Sequence, residues 1–100
     1  MKQYTKDNIP TELIKAAELI AEDKLKKAEP ILRDYLKNNP LDVNAMKLLA
    51  DIGIKFRAYK DAGYLLVRAL DLSPDYDQAR LSYANLLYKR QLHFEALEQI

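Results

Sequence analysis

Residues 43–74, VNAMKLLADIGIKFRAYKDAGYLLVRALDLSP, decide the fold. Displaced by 34 residues in either direction, this stretch meets a degenerate copy of itself. Ala50 stands between Ala16 and Ala84, Ala62 between Ala28 and Ala96, and Leu66 between Leu32 and Ile100. Leu70 and Pro74 repeat Leu36 and Pro40. A fixed period of this length marks stacked repeats, each a supersecondary unit that cannot bury its apolar face alone.

Within the stretch the apolar residues recur at helical spacing. Met46, Leu49, Ala50, Ile52, Gly53 and Phe56 predict a helix over about 43–56, capped by Asp42. A turn near Arg57-Ala58 leads to a second helix over about 59–72, carrying Tyr59, Ala62, Leu65, Leu66, Ala69 and Leu70. Gly53 and Gly63 fall inside these helices, where each costs about 1 kcal/mol relative to alanine. Close helix approach accounts for them better than contact with a ligand.

Working outward, residues 1–8 lack periodicity and read as a loose arm. Asn8 is placed to cap a helix over about 10–22, with Pro10 in its first turn and Leu13, Ala16, Ala17, Leu19 and Ile20 inward. Asp23 turns the chain and caps a helix over about 24–38, in which Leu25, Ala28, Ile31, Leu32, Tyr35 and Leu36 face the core. Pro30 lies within that helix and predicts a kink near Lys26–Pro30. Asn38-Asn39-Pro40 ends it, with asparagine in the left-handed conformation.

On the other side, Ser73-Pro74 stops the fourth helix, and Asp75 with Gln78 has capping-box spacing for a fifth over about 76–90. Its inner face is Ala79, Tyr83, Ala84 and Leu87. A sixth helix is expected after Gln91, with His93, Ala96, Leu97 and Ile100. That helix is short for its role, which suggests a fragment of a longer protein.

The fold class is therefore all-α: antiparallel helix pairs stacked into a solenoid, with units at about 9–42, 43–76 and 77–100. Small residues at Ala16/Ala50/Ala84 and Ala28/Ala62/Ala96 let the helices of a unit approach, and Leu32/Leu66/Ile100 fill the space between units. A small rotation per unit curls such a stack around a concave groove.

The spacing Leu49-Ala50, Gly53, Ala62, Leu66, Ala69, Pro74 resembles the tetratricopeptide repeat. Tyr59 matches the aromatic that opens its second helix, while Met46 stands where tryptophan is common. Lys15 occupies an inward leucine place, Gly53 a tyrosine place, and no inter-helix turn has the usual glycine. The resemblance covers about 9–100 and implies a right-handed superhelix that binds proteins. The run 48–97 also resembles the repeat region preceding the catalytic domain of bacterial tetratricopeptide-repeat sulfotransferases, through Tyr59-Lys60-Asp61-Ala62, Asp75-Tyr76, Ala79-Arg80 and Glu95-Ala96-Leu97. It implies, as an alternative, a substrate-recruiting region of an enzyme whose phosphoadenosine-phosphosulfate chemistry lies in another domain.

In this family the first helix of each unit lines the concave face. Matching by repeat position places Leu13, Ala17 and Ile20 there from the first unit. Asn44, Lys47, Asp51 and Ile54 come from the second, and Gln78, Leu81, Asn85 and Tyr88 from the third. Asn85 can bond an extended peptide backbone as donor and acceptor; Lys47 and Asp51, four apart, can pair with each other. The lysine-asparagine clamp by which some relatives hold acidic chaperone tails is not carried over, since its places hold Leu13, Ala17, Leu48, Gln78 and Ser82.

Composition sets the remaining bounds. Sixteen basic and fifteen acidic residues give a net charge of +1, without the basic excess of a nucleic-acid binder. The densest run, KLKK at 24–27, reads as a solvated helix face. Helical-repeat RNA binding would call for a slightly longer period and a more basic groove. There is no cysteine, hence no disulfide framework or thiolate metal site. With no membrane span or signal-like N-terminus, the cytoplasm is the expected compartment. Two isolated mid-helix glycines cannot form a phosphate loop. His93 reads as a packed ring at a turn, Ser73 and Ser82 have no assignable base, and Glu22-Asp23 and Asp75/Asp77 sit at helix ends. No catalytic constellation, metal site or cofactor is expected. The partner is a protein or peptide segment of unknown identity, with self-association through the exposed C-terminal end.

Overall fold

The computed structural model describes residues 9–98. The expected arm at 1–8, with Asn8, and Ile100 lie outside them. The described chain is all-α and elongated, 49 × 29 × 22 Å, and holds five helices. These are α1 (Thr11–Ala21), α2 (Leu25–Asn38), α3 (Val43–Lys55), α4 (Tyr59–Leu72) and α5 (Asp77–Glu98). Each helix packs on its neighbours in sequence, and α3 also touches both α1 and α5. Thus α1, α3 and α5 lie side by side.

The core divides into two clusters. One joins α1 and α2 to α3 through Leu13, Ala16, Leu19, Ala28, Leu32, Tyr35, Ala45, Leu49 and Ile52. The other joins α3 and α4 to α5 through Val43, Met46, Ala50, Ile54, Ala62, Leu66, Ala69, Tyr76, Ala79 and Leu86. Leu36 and Leu65 pack against both. Ala16, Ala28, Ala50 and Ala62 have no exposed surface, as close approach within each helix pair requires. A Cβ added at Gly53 would sit 3.3 Å from that of Ala62, so this glycine lets α3 and α4 close together.

Two turns carry the period into the backbone. Among the described residues, Asp23 and Arg57, themselves 34 residues apart, are the non-glycine residues with positive φ, at 61° and 63°. At the first, the Asp23 N–H donates to the Ile20 carbonyl and the Lys24 N–H to that of Leu19; at the second, Arg57 donates to Ile54 and Ala58 to Gly53. This is the Schellman closure, in which a left-handed residue satisfies the carbonyls at a helix end. It explains how the pairs turn without the usual glycine.

The caps differ from several expectations. Asp42 caps α3 as expected, its carboxylate accepting from the N–H groups of Asn44 at 3.0 Å and Ala45 at 3.1 Å. Asp23 makes the turn, but Lys24 is the N-cap of α2. Pro10 is the N-cap of α1 and lies outside its first turn. Asn39 closes α2 with φ −138°, not in the left-handed region. Pro30 is exposed and lies within α2, which continues past it to Asn38. Asp75 precedes α5 by two residues, and its carboxylate accepts from the Ser73 hydroxyl at 3.3 Å.

The main departure is at Gln91. No sixth helix begins there; α5 continues for 22 residues from Asp77 to Glu98. Two contacts spaced i, i+4 span the missing turn. The Gln91 amide donates to Glu95 at 3.1 Å, and the Arg90 guanidinium lies 5.6 Å from the Phe94 ring centre. The inner face of α5 is correspondingly rotated: Ala79, Ser82 and Leu86 are buried and Tyr83 half-buried, whereas Ala84 and Leu87, expected inside, are exposed.

Candidate functional site

The first helices of successive units sit next to one another, and a cleft of about 640 Å³ opens along them. Its apolar lining is Ile9, Leu13, Ile14, Ala17, Leu48 and Tyr76. Glu18, Asn44, Lys47, Asp75, Asp77 and Gln78 supply the polar atoms. Three elements build it: the outer stripe of α1, the first two turns of α3, and the start of α5.

Most of the polar groups are placed by a helix, and Asp75 by the segment that enters α5. Asn44 lies in the first turn of α3, directly after the Asp42 cap; its side-chain Nδ2 is buried and has no hydrogen-bond partner. Lys47, one turn further, forms an ion pair with Asp51 at 2.7 Å, partly shielded from solvent. Asp51 also accepts from the Ser82 hydroxyl at 2.8 Å, which ties α3 to α5. Lys47 is paired with Asp51, and Asp77 with Arg80 at 3.2 Å, so Glu18 and Asp75 leave the lining with a surplus of negative charge.

Tyr76 stands between cleft and core. Burial pushes its phenol up to about 12, and the negative charges of Asp51 and Asp42 add to the effect. Asp42 serves twice: besides capping α3 it accepts from the Tyr35 hydroxyl at 2.9 Å, joining the end of α2 to the start of α3.

The predicted groove residues separate into groups. Asn44, Lys47 and Gln78 come together in the cleft, with Leu13 and Ala17. Asp51 lies behind them as the partner of Lys47 and Ser82. Leu81 and Tyr88 are 71% and 65% exposed and, with Asn85, continue along the open side of α5. Ile54 is a correction: at 3% exposure it belongs to the core, because α5 crosses over the end of α3. Sequence matching missed Ile9, Ile14, Glu18, Leu48, Asp75, Tyr76 and Asp77. The signal for Ile14 and Leu48 was present, since both occupy one repeat position in consecutive units, 34 residues apart.

A second, more polar hollow lies where the α3–α4 turn meets α5, lined by Lys55, Arg57, Tyr59, Lys89, Leu92 and His93 with Ile54. The His93 ring meets Tyr59 edge-on, with 5.8 Å between centres. Among the described residues no three His, Cys, Asp or Glu side chains group as metal ligands, and no helix is long and apolar enough to cross a membrane. No protein-family model matches the chain, and no curated protein or solved structure matches it significantly.

Proposed function

We propose that the chain is a tetratricopeptide-type module, a right-handed stack of antiparallel helix pairs that binds a protein or peptide segment along its first helices. One observation carries this reading: the cleft is lined by the first helix of each successive unit and holds Asn44 Nδ2 without a partner. An unused buried donor is costly unless something accepts from it, and a peptide carbonyl is suited to do so. The 34-residue period and the matching left-handed turns at Asp23 and Arg57 support the architecture.

The lining also defines the occupant. Apolar walls from Ile14, Ala17 and Leu48 accept an aliphatic or aromatic side chain, and the carboxylates of Glu18 and Asp75 favour a basic neighbour. The segment is therefore apolar with a flanking lysine or arginine.

Selection of displayed peptides against the protein tests this. The selected sequences should share that pattern. Glu18→Lys and Asn44→Ala should each weaken a selected peptide by about tenfold in fluorescence anisotropy, roughly the loss of one charge-assisted hydrogen bond. Selected peptides that bind both variants as tightly as the native chain would remove the cleft from consideration.

A further inference from the structure

The strongest unassigned feature is the outer face of α5. In the first two units a left-handed residue, Asp23 or Arg57, ends the first helix, and the second helix folds back to cover it. The third unit has the same residue pattern, with Ala84 and Leu87 on the first-helix side. Its turn position, Gln91, is helical, so residues beyond 91 run straight on and cannot reach their own first half. Ala16 and Ala50 have no exposed surface, whereas Ala84 is exposed and Leu87 is 47% exposed. On the extended half, Leu97 is 53% exposed, and Ala96 beside it in sequence stands at the repeat position of Ala62, the residue that meets Gly53 across α3 and α4.

Two surfaces built to cover each other are thus held apart on one straight helix. We propose that a second copy of this chain covers them. Two α5 helices cross antiparallel near Gln91, and the segment beyond 91 of each lies on the Ala84–Leu87 face of the other. The contacts are those that α4 makes on α3 within one chain, made twice about a two-fold axis. This is domain swapping with residues 90–92 as the hinge, a low-cost route to a dimer because no new interface is required. The occupant is set by sequence: the half-helix that fits this face by repeat position is present in every copy. The Gln91–Glu95 bond and the Arg90–Phe94 contact span the hinge and hold it straight.

Light scattering on the 100-residue chain should give twice the 11.6 kDa monomer mass at micromolar concentration. Gly53 and Ala62 meet across α3 and α4, and Leu87 and Ala96 are their equivalents 34 residues on. The native chain has no cysteine, so mixing the single variants Leu87→Cys and Ala96→Cys under mild oxidant should yield a mixed covalent dimer. Gln91→Gly, which eases a left-handed turn and weakens the helix, should raise the dimer dissociation constant by about tenfold. Gln91→Ala should leave dimerisation intact. The proposal is overturned by a monomer at all concentrations. A dimer that forms no 87–96 cross-link, or a disulfide within one chain of the double variant, overturns it equally.

Discussion

Asp23 and Arg57 bear most directly on how this chain turns. Each holds the left-handed conformation, which costs an L-residue with a Cβ roughly 1 kcal/mol or more. Aspartate tolerates it better than arginine, through its short polar side chain. Arg57→Gly should therefore stabilise the protein by about 1 kcal/mol, and Asp23→Gly by less, read from the midpoint of urea unfolding. The same comparison shows where residue-level reading succeeds. Asp42 was recognisable as a cap, because an aspartate before an apolar helical run has a backbone donor to satisfy. Gln91 was not recognisable as a continuation. Its repeat position called for a turn, whereas the helix continues through it, with the Gln91–Glu95 and Arg90–Phe94 contacts spanning the position.

At the scale of helices, α3 and α4 close on Gly53 while α4 and α5 close on Gly63, and the two glycines differ in their surroundings. A Cβ at Gly63 would meet only the end of the Leu86 side chain at 3.4 Å, an ordinary contact. At Gly53 it would press on Ala62 Cβ at 3.3 Å and lie 3.5 Å from the Ala58 carbonyl oxygen. Gly63→Ala should thus gain about 0.5–1 kcal/mol from helix propensity, whereas Gly53→Ala should gain nothing or lose stability as the helices are forced apart. Thermal midpoints of the two variants separate these outcomes. Helices α1 to α4 were legible to within a residue or two because their apolar spacing, turns and prolines agree. The face of α5 was not. Ala84 and Leu87 carry the inward pattern of a helix with a partner, and the continuous backbone leaves that partner out of reach. For the cleft, position along the repeat found Asn44, Lys47 and Gln78, but the residues contributed by the chain entering α5 follow no period.

Across the whole molecule, the joint between the second unit and α5 is set by Tyr76 and by the Ser82–Asp51 bond. The Tyr76 phenol has its pKa raised in the folded state, from 10.0 to about 12. The protonated form is favoured on folding, so its contribution is complete below pH 10. It is lost as pH rises toward 12, where the unfolded chain ionises first. Tyr76→Phe should flatten the fall of the thermal midpoint between pH 10 and 12 while leaving the profile between pH 7 and 9 parallel to that of the native chain. A variant that falls as steeply as the native protein would place the alkaline sensitivity in another tyrosine.

The sequential packing of the helices also bears on the birth of the protein. Every interhelical contact joins elements no more than two apart along the chain. Such local topology has little loop-closure entropy to overcome and folds quickly. On the ribosome, α1 and α2 can associate before α5 has been synthesised, and each later pair docks on a surface already formed. Assembly in order of synthesis keeps the apolar edge presented at any moment to that of a single unit.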